Sequence, residues 1–228
     1  MRVTSVALRL AVAVFAAIFS WICPAHATDL QQLVQETQKI SQDASNMTMV
    51  WWIPQEFWDA SLSTNPSVTP ESRKQILDAL ENFQIVALFR GKTGIGGLTD
   101  VPSREDMVAH ARFESNGKVI EPLEPAQVST GAQTMLAALK PLLSGMLGQL
   151  GQGMQLVVYP SKKDSDRLID PKKKGSFQYT LFEKTFQWHL PLASLLPKKM
   201  DPKTKEEFPG TFDYNPYTGD KLSSKTGL

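Results

Sequence analysis

Met107-Val108-Ala109-His110-Ala111-Arg112-Phe113-Glu114-Ser115-Asn116-Gly117-Lys118-Val119-Ile120 is the stretch on which the fold class turns. Ala109, Ala111 and Phe113 alternate with His110, Arg112 and Glu114, the period of a half-buried strand over Met107 to Ser115. Asn116-Gly117 then supplies two residues that tolerate the positive φ of a tight hairpin turn. A two-residue turn there sets Phe113 opposite Ile120, so both apolar residues fall on one face. A second hairpin is expected over Ser176 to Leu190. Phe177, Tyr179 and Leu181 are odd-numbered while Phe186, Trp188 and Leu190 are even, the parity switch that keeps one apolar face. A loop at Glu183-Lys184 would pair Leu181 with Phe186, Tyr179 with Trp188 and Phe177 with Leu190.

Helices are expected around these strands. Leu30, Leu33, Val34, Thr37 and Ile40 form one stripe of a first helix over Thr28 to Ser45. Thr69-Pro70-Glu71-Ser72 reads as a helix start, with Thr69 as cap, Pro70 in the first turn, and Ile76, Leu77, Leu80 and Phe83 buried. Ser129 to Leu150 carries a broad apolar face (Met135, Leu136, Leu139, Leu142, Leu143, Met146, Leu147, Leu150), with Pro141 expected to bend or split it. Gln84 to Phe89 and Met154 to Tyr159 read as strands, and Lys162 to Lys174 as a polar loop. The expected class is α+β: a mainly antiparallel sheet with two N-terminal helices and one long central helix packed on it.

Met1 to Ala27 reads as a secretory signal. Arg2 and Arg9 precede an uncharged run, Leu10 to Ile22, and Ala25-His26-Ala27 offers small residues for cleavage before Thr28. Thirteen residues reach about 20 Å, short of a hydrocarbon core of about 30 Å, which disfavours an uncleaved anchor. The expected organisation is therefore residues 1–27 as signal peptide, 28–200 as one α+β domain, and 201–228 as a C-terminal tail. Export would place the mature chain in the periplasm or outside the cell. Without the leader the chain has 22 basic and 23 acidic residues, two His and no Cys. That balance excludes nucleic-acid binding driven by overall charge, and it removes thiolate metal sites and cysteine nucleophiles. No cofactor is expected.

The densest chemical feature is Val50-Trp51-Trp52-Ile53-Pro54-Gln55-Glu56-Phe57-Trp58. Neighbouring residues of a strand face opposite ways, so one of Trp51 and Trp52 enters the core and the other needs a second cover or a ligand. The functional expectation is an aromatic platform of Trp51, Trp52 and Trp58, with Glu56 and Asp59 on its rim, binding an envelope ligand or partner. The alternatives are a hydrolase of an envelope polymer, using Glu56, Asp59 or His110 as acid–base groups, and a peripheral membrane protein using the Ser129–Leu150 helix. Membrane contact is not favoured, because Lys140 is the sole cation on that helix's polar face. Arg90-Gly91-Lys92-Thr93 fails as a phosphate loop, since Val86 stands where Gly is required; a turn between strands accounts for it.

Beyond Asp201, Asp201-Pro202-Lys203-Thr204-Lys205 is echoed by Asn215-Pro216-Tyr217-Thr218-Gly219. The pair resembles the two knuckles of a zinc ribbon with its ligands replaced by Asp201, Thr204, Asn215 and Thr218. Such a donor set implies no zinc. With Trp51 to Trp58 and Leu190-Pro191-Leu192-Ala193-Ser194-Leu195-Leu196-Pro197, the tail also resembles a family of exported bacterial proteins to which no activity is attached. That resemblance implies export and overall architecture only.

Overall fold

The computed structural model describes residues 26–43, 46–94, 97–147 and 149–224, with backbone alone at 26–29, 93–94, 97–98, 138–140, 142–147 and 149. The fold is α+β with antiparallel sheets. In chain order, helix α1 (His26–Thr37) leads into β1 (Gln38–Asp43) and β2 (Asn46–Ile53). Then follow α2 (Gln55–Ser63), α3 (Pro70–Leu80), β3 (Phe83–Gly94) and β4 (Gly97–Thr99). Next come α4 (Arg104–Ala109), β5 (Ala111–Ser115), β6 (Lys118–Ile120), α5 (Thr130–Leu147), α6 (Gln149–Gly153) and β7 (Gln155–Pro160). The chain ends with β8 (Lys162–Lys163), β9 (Asp166–Arg167), β10 (Gly175–Leu181), β11 (Lys184–Leu190), β12 (Lys199–Met200), β13 (Glu207–Phe208) and β14 (Ser223–Ser224).

Two main sheets stack face to face. The first has the order β1-β2-β3-β4, with β7 also paired to β3. The second runs β11-β10-β5-β6. Register fixes which residues share a face. Trp52 lies opposite Val86, which lies opposite Val157; Trp51, Ala87 and Leu156 form the adjacent row, pointing the other way. The Trp52 face meets the second sheet through aromatic contacts. Trp52 stands edge-on to Phe177 at 4.7 Å, Phe177 stacks on Trp188 at 4.9 Å, and Phe113 stands edge-on to Tyr159 at 5.0 Å. Such pairs are each worth about 0.5–1.5 kcal/mol beyond the area they bury. The Trp51 face meets helices: Phe57 of α2 lies edge-on to Trp51 at 5.3 Å, and Gly153 of α6 approaches Phe89 so closely that an added Cβ would sit 3.0 Å from the ring.

Several local expectations hold. Asn116 (φ 52) and Gly117 (φ 71) form the first turn, and Phe113 pairs with Ile120. Thr69 Oγ1 accepts from the Ser72 amide and Pro70 opens α3, burying Ile76 and Leu80.

Others are corrected. The first helix stops at Thr37, whose hydroxyl donates back to Leu33 O at 2.7 Å; Gln38–Asp43 pairs with β2 instead, leaving Ile40 53 % exposed. Thr37 also holds two indoles, accepting from Trp51 Nε1 on its hydroxyl and from Trp188 Nε1 on its carbonyl. Phe83 belongs to β3 rather than to the buried face of α3. Met107–Ala109 is helical because Ser103 caps α4, accepting from the Asp106 amide, and its acidic first turn suits the helix dipole. Arg90–Thr93 continues β3 and is no turn. Helix α5 runs through Pro141 as one element. Leu139, Leu142, Leu143, Met146 and Leu147 have side chains outside the described set.

The second hairpin pairs Tyr179 with Phe186 and Phe177 with Trp188, a register two residues from the expected one. Parity is unchanged, so the buried face is the same. The turn is Phe182-Glu183, with Phe182 at φ 53. A bulky residue there costs about 1–2 kcal/mol. Three contacts offset it: the Phe182 amide donates to His110 O, the ring stacks on His110 at 4.5 Å, and Arg90 sits 4.4 Å from the ring centroid while pairing with Glu183.

Trp52→Ala is expected to lower unfolding stability by about 3–5 kcal/mol, the loss typical of a fully buried large aromatic side chain. Urea denaturation checks it; a change below 1 kcal/mol, roughly the size of a surface substitution, would contradict the burial of this side chain.

Candidate functional site

The tryptophan segment does not form an open platform. Trp51, Trp52 and Trp58 are buried, with relative exposures of 6 %, 1 % and 2 %. Trp51 and Trp52 occupy opposite faces as their spacing requires, and both faces are covered. Trp52 Nε1 donates to Gln84 Oε1 at 2.9 Å, and Gln84 Nε2 donates to Pro160 O, so the buried polar groups are satisfied within the sheet. Trp58 sits in α2, edge-on to Phe57 at 5.5 Å. The expected ligand face is core because helices pack one side of the sheet and a second sheet packs the other.

The acid–base candidates are tied up separately. Glu56 accepts from both Nη1 and Nη2 of Arg167, at 2.6 and 3.1 Å. Burial works against the Arg167 charge, but the hydrogen bond and the charge of Glu56 outweigh it, and its pKa is raised. Asp59 is held by Arg73 through Nε and Nη2. His110 lies at the end of α4, its Nδ1 2.9 Å from Asp106 O and its ring against Phe182. Arg112 and Glu114 pair with each other on β5. Glu56, Asp59 and His110 thus belong to three separate pairings. The Tyr159 and Tyr179 hydroxyls meet at 2.7 Å between the sheets; burial pushes Tyr159 up to about 12 and Tyr179 well above its usual value, so neither serves as a base near neutrality. Among the described residues no group of three or more His, Cys, Asp and Glu is placed to hold a metal ion.

The tail is the most elaborately built surface feature. Its two knuckles repeat, fourteen positions apart, bond for bond. Asp201 Oδ1 accepts from the amides of Lys203 and Thr204; Asn215 Oδ1 accepts from those of Tyr217 and Thr218. Lys205 N donates to Asp201 O, and Gly219 N to Asn215 O. Asp201 N donates to Glu206 O, and Asn215 N to Asp220 O. Thr204 Oγ1 accepts from Glu206 N, and Thr218 Oγ1 from Asp220 N. The fifth residue of each knuckle takes positive φ, 63° at Lys205 and 74° at Gly219.

Between the knuckles, Asn215 Nδ2 donates to Asp201 Oδ2 at 2.6 Å. Both residues are buried, at 0 % and 2 % exposure. A carboxylate–amide hydrogen bond therefore joins the two knuckles directly. Asp201 is the acceptor-only partner, held ionised by the Asn215 amide and the Thr204 and Lys203 backbone amides, which lower its pKa. Phe208 of β13 and Leu222, just before β14, are buried. Gly210 is required where the chain passes Pro197 O, since a Cβ would lie 2.5 Å from that oxygen. Against this frame Phe212, Tyr214 and Tyr217 are exposed, at 40 %, 60 % and 83 %. The sequence signal for the site was the echo itself.

The pseudo-repeat yields a double-mutant test. Asp201→Asn sets an amide donor against the Asn215 donor, and Asn215→Asp sets two carboxylates together; each should speed hydrogen exchange at the Lys203, Thr204, Tyr217 and Thr218 amides. The double exchange restores one donor and one acceptor with roles reversed, and protection should return. Because the folded pKa of Asp201 is lowered, its contribution is complete above the unfolded value and is lost as pH falls through the folded one. The exchange difference between the native chain and Asp201→Asn should therefore close in acid. No family model, no curated protein and no solved structure matches this chain.

Proposed function

We propose that this chain is an exported, non-catalytic binding protein of the cell envelope, and that it makes contact through Phe212, Tyr214 and Tyr217 of the C-terminal tail. One observation carries the proposal: three exposed aromatic side chains stand on a frame that spends ten hydrogen bonds and a buried carboxylate–amide pair on holding two turns in place. Aromatic groups in water are unfavourable unless a partner covers them, and Tyr in particular offers an apolar face with a polar tip. The indoles of the Val50–Trp58 segment take no part, being core. The hydrolase alternative has less support, because Glu56 and Asp59 each neutralise a separate arginine. Export rests on the charge and apolar pattern of Met1 to Ala27, whose first 25 residues lie outside the described set.

Two measurements check this. Tyr214→Ser with Tyr217→Ser should abolish retention of native envelope material while leaving the urea midpoint within error; undiminished retention would refute the surface. Fractionation followed by N-terminal sequencing should recover a chain beginning at Thr28 outside the cytosol.

A further inference from the structure

Strand β1 is an open edge of the first sheet. Gln38–Asp43 pairs with β2 on one side, and among the described residues no strand pairs with it on the other. Such an edge presents a row of backbone donors and acceptors that a further strand can take up. Other edges are blunted. β4 and β6 are three residues long. The Leu123 amide donates to Val158 O of β7, and Pro160 ends that strand. β1 has six residues and no proline, and Ile40 in its middle is 53 % exposed. The long edge of the second sheet, β11, lies on the same side of the molecule: Lys184 pairs with Asp43, and Trp188 Nε1 donates to Thr37 O just before β1.

We propose that β1 joins two copies of this chain into a dimer, by antiparallel β1–β1 pairing about a two-fold axis at Ser41. The charges on the strand select this occupant. Lys39, Ser41 and Asp43 share one side of β1, and Gln38, Ile40 and Gln42 share the other. With the axis at Ser41, Lys39 of each copy lies opposite Asp43 of the other, so one contact yields two ion pairs by symmetry. Ile40 then lies diagonal to the second Ile40, a neighbour that side chains reach across a strand pair. Neighbouring registers lose this match. An axis at Ile40 sets Lys39 against Ser41, and an axis at Lys39 or Asp43 sets like charges together. Lys39 is in no ion pair among the described residues, and the Asp43 side chain is 52 % exposed beside Lys184. The dimer is independent of the tail and of what the tail binds.

Analytical ultracentrifugation of the mature chain tests it, and should show a dimer that forms with rising concentration. Lys39→Asp leaves acids at both positions and Asp43→Lys leaves bases at both. Each alone should weaken dimerisation by about tenfold, the loss of two exposed ion pairs. Mixed in equal amounts, the two variants should recover it as a mixed pair. The chain carrying both exchanges should recover it with itself. A fold that is merely damaged gains nothing from mixing, and urea midpoints check each variant. Ser41→Cys, in a mature chain with no other cysteine, should cross-link two copies on oxidation, whereas Val119→Cys on β6 should not. A monomer at every soluble concentration, a dimer indifferent to the charge reversals, or a mixture no tighter than its parts would each overturn the proposal. So would cross-linking through Val119→Cys as readily as through Ser41→Cys.

Discussion

Trp51 and Trp52 must point to opposite faces of one strand, and a strand with indoles on both sides is stable only when both sides are covered. That constraint organises the body of the molecule. On one face α2 and α6 cover Trp51 and Phe89; on the other the second sheet lays Phe177, itself stacked on Trp188, against Trp52. Each indole donor then needs an acceptor in a dry setting. Thr37 serves Trp51 and Trp188, while Gln84 serves Trp52. Thr37 is where α1 gives way to β1. The end of a helix and the anchoring of two tryptophans are thereby one event.

Parts of this were legible because they depend on local chemistry. Asn116-Gly117 needs positive φ at both turn positions whatever surrounds it, so the register of β5 and β6 followed from the turn alone. Thr69-Pro70 announced α3 for the same reason. Some of what escaped was local, as the Ser103 cap of α4 shows, and some depended on pairing with other parts of the chain. Ile40 completes a helical stripe on paper, yet pairing with Met49 is available and burying that stripe further is not. The Phe182 turn is locally unfavourable and becomes the right one only once Arg90 and His110 enclose the ring. Tertiary contact overrides propensity there, and it displaces the register by two while sparing the apolar face.

The candidate site divides in the same way. Trp-rich composition drew attention to Val50–Trp58, but composition cannot separate a display of indoles from a double-sided core; burial decides, and it decides for the core. The tail echo was visible as a repeat of residue types. Its meaning was not, because an Asx oxygen accepting two backbone amides looks like an ordinary turn until both copies are seen facing each other.

The clasp between those copies also explains why the tail carries its own small core. Four thiolate–metal bonds would hold two knuckles together without help from packing. One charged hydrogen bond contributes far less, and each knuckle is held by its own backbone bonds as well. Phe208 and Leu222 add buried apolar surface to that frame. In exchange, an oxygen-based clasp is indifferent to thiol oxidation and to metal supply. The proton weakens it, because a neutral Asp201 loses the charge that makes the Asn215 donation strong. The surface that Tyr214 and Tyr217 present therefore depends on a carboxylate remaining ionised inside a fold too small to hold its shape by apolar packing alone.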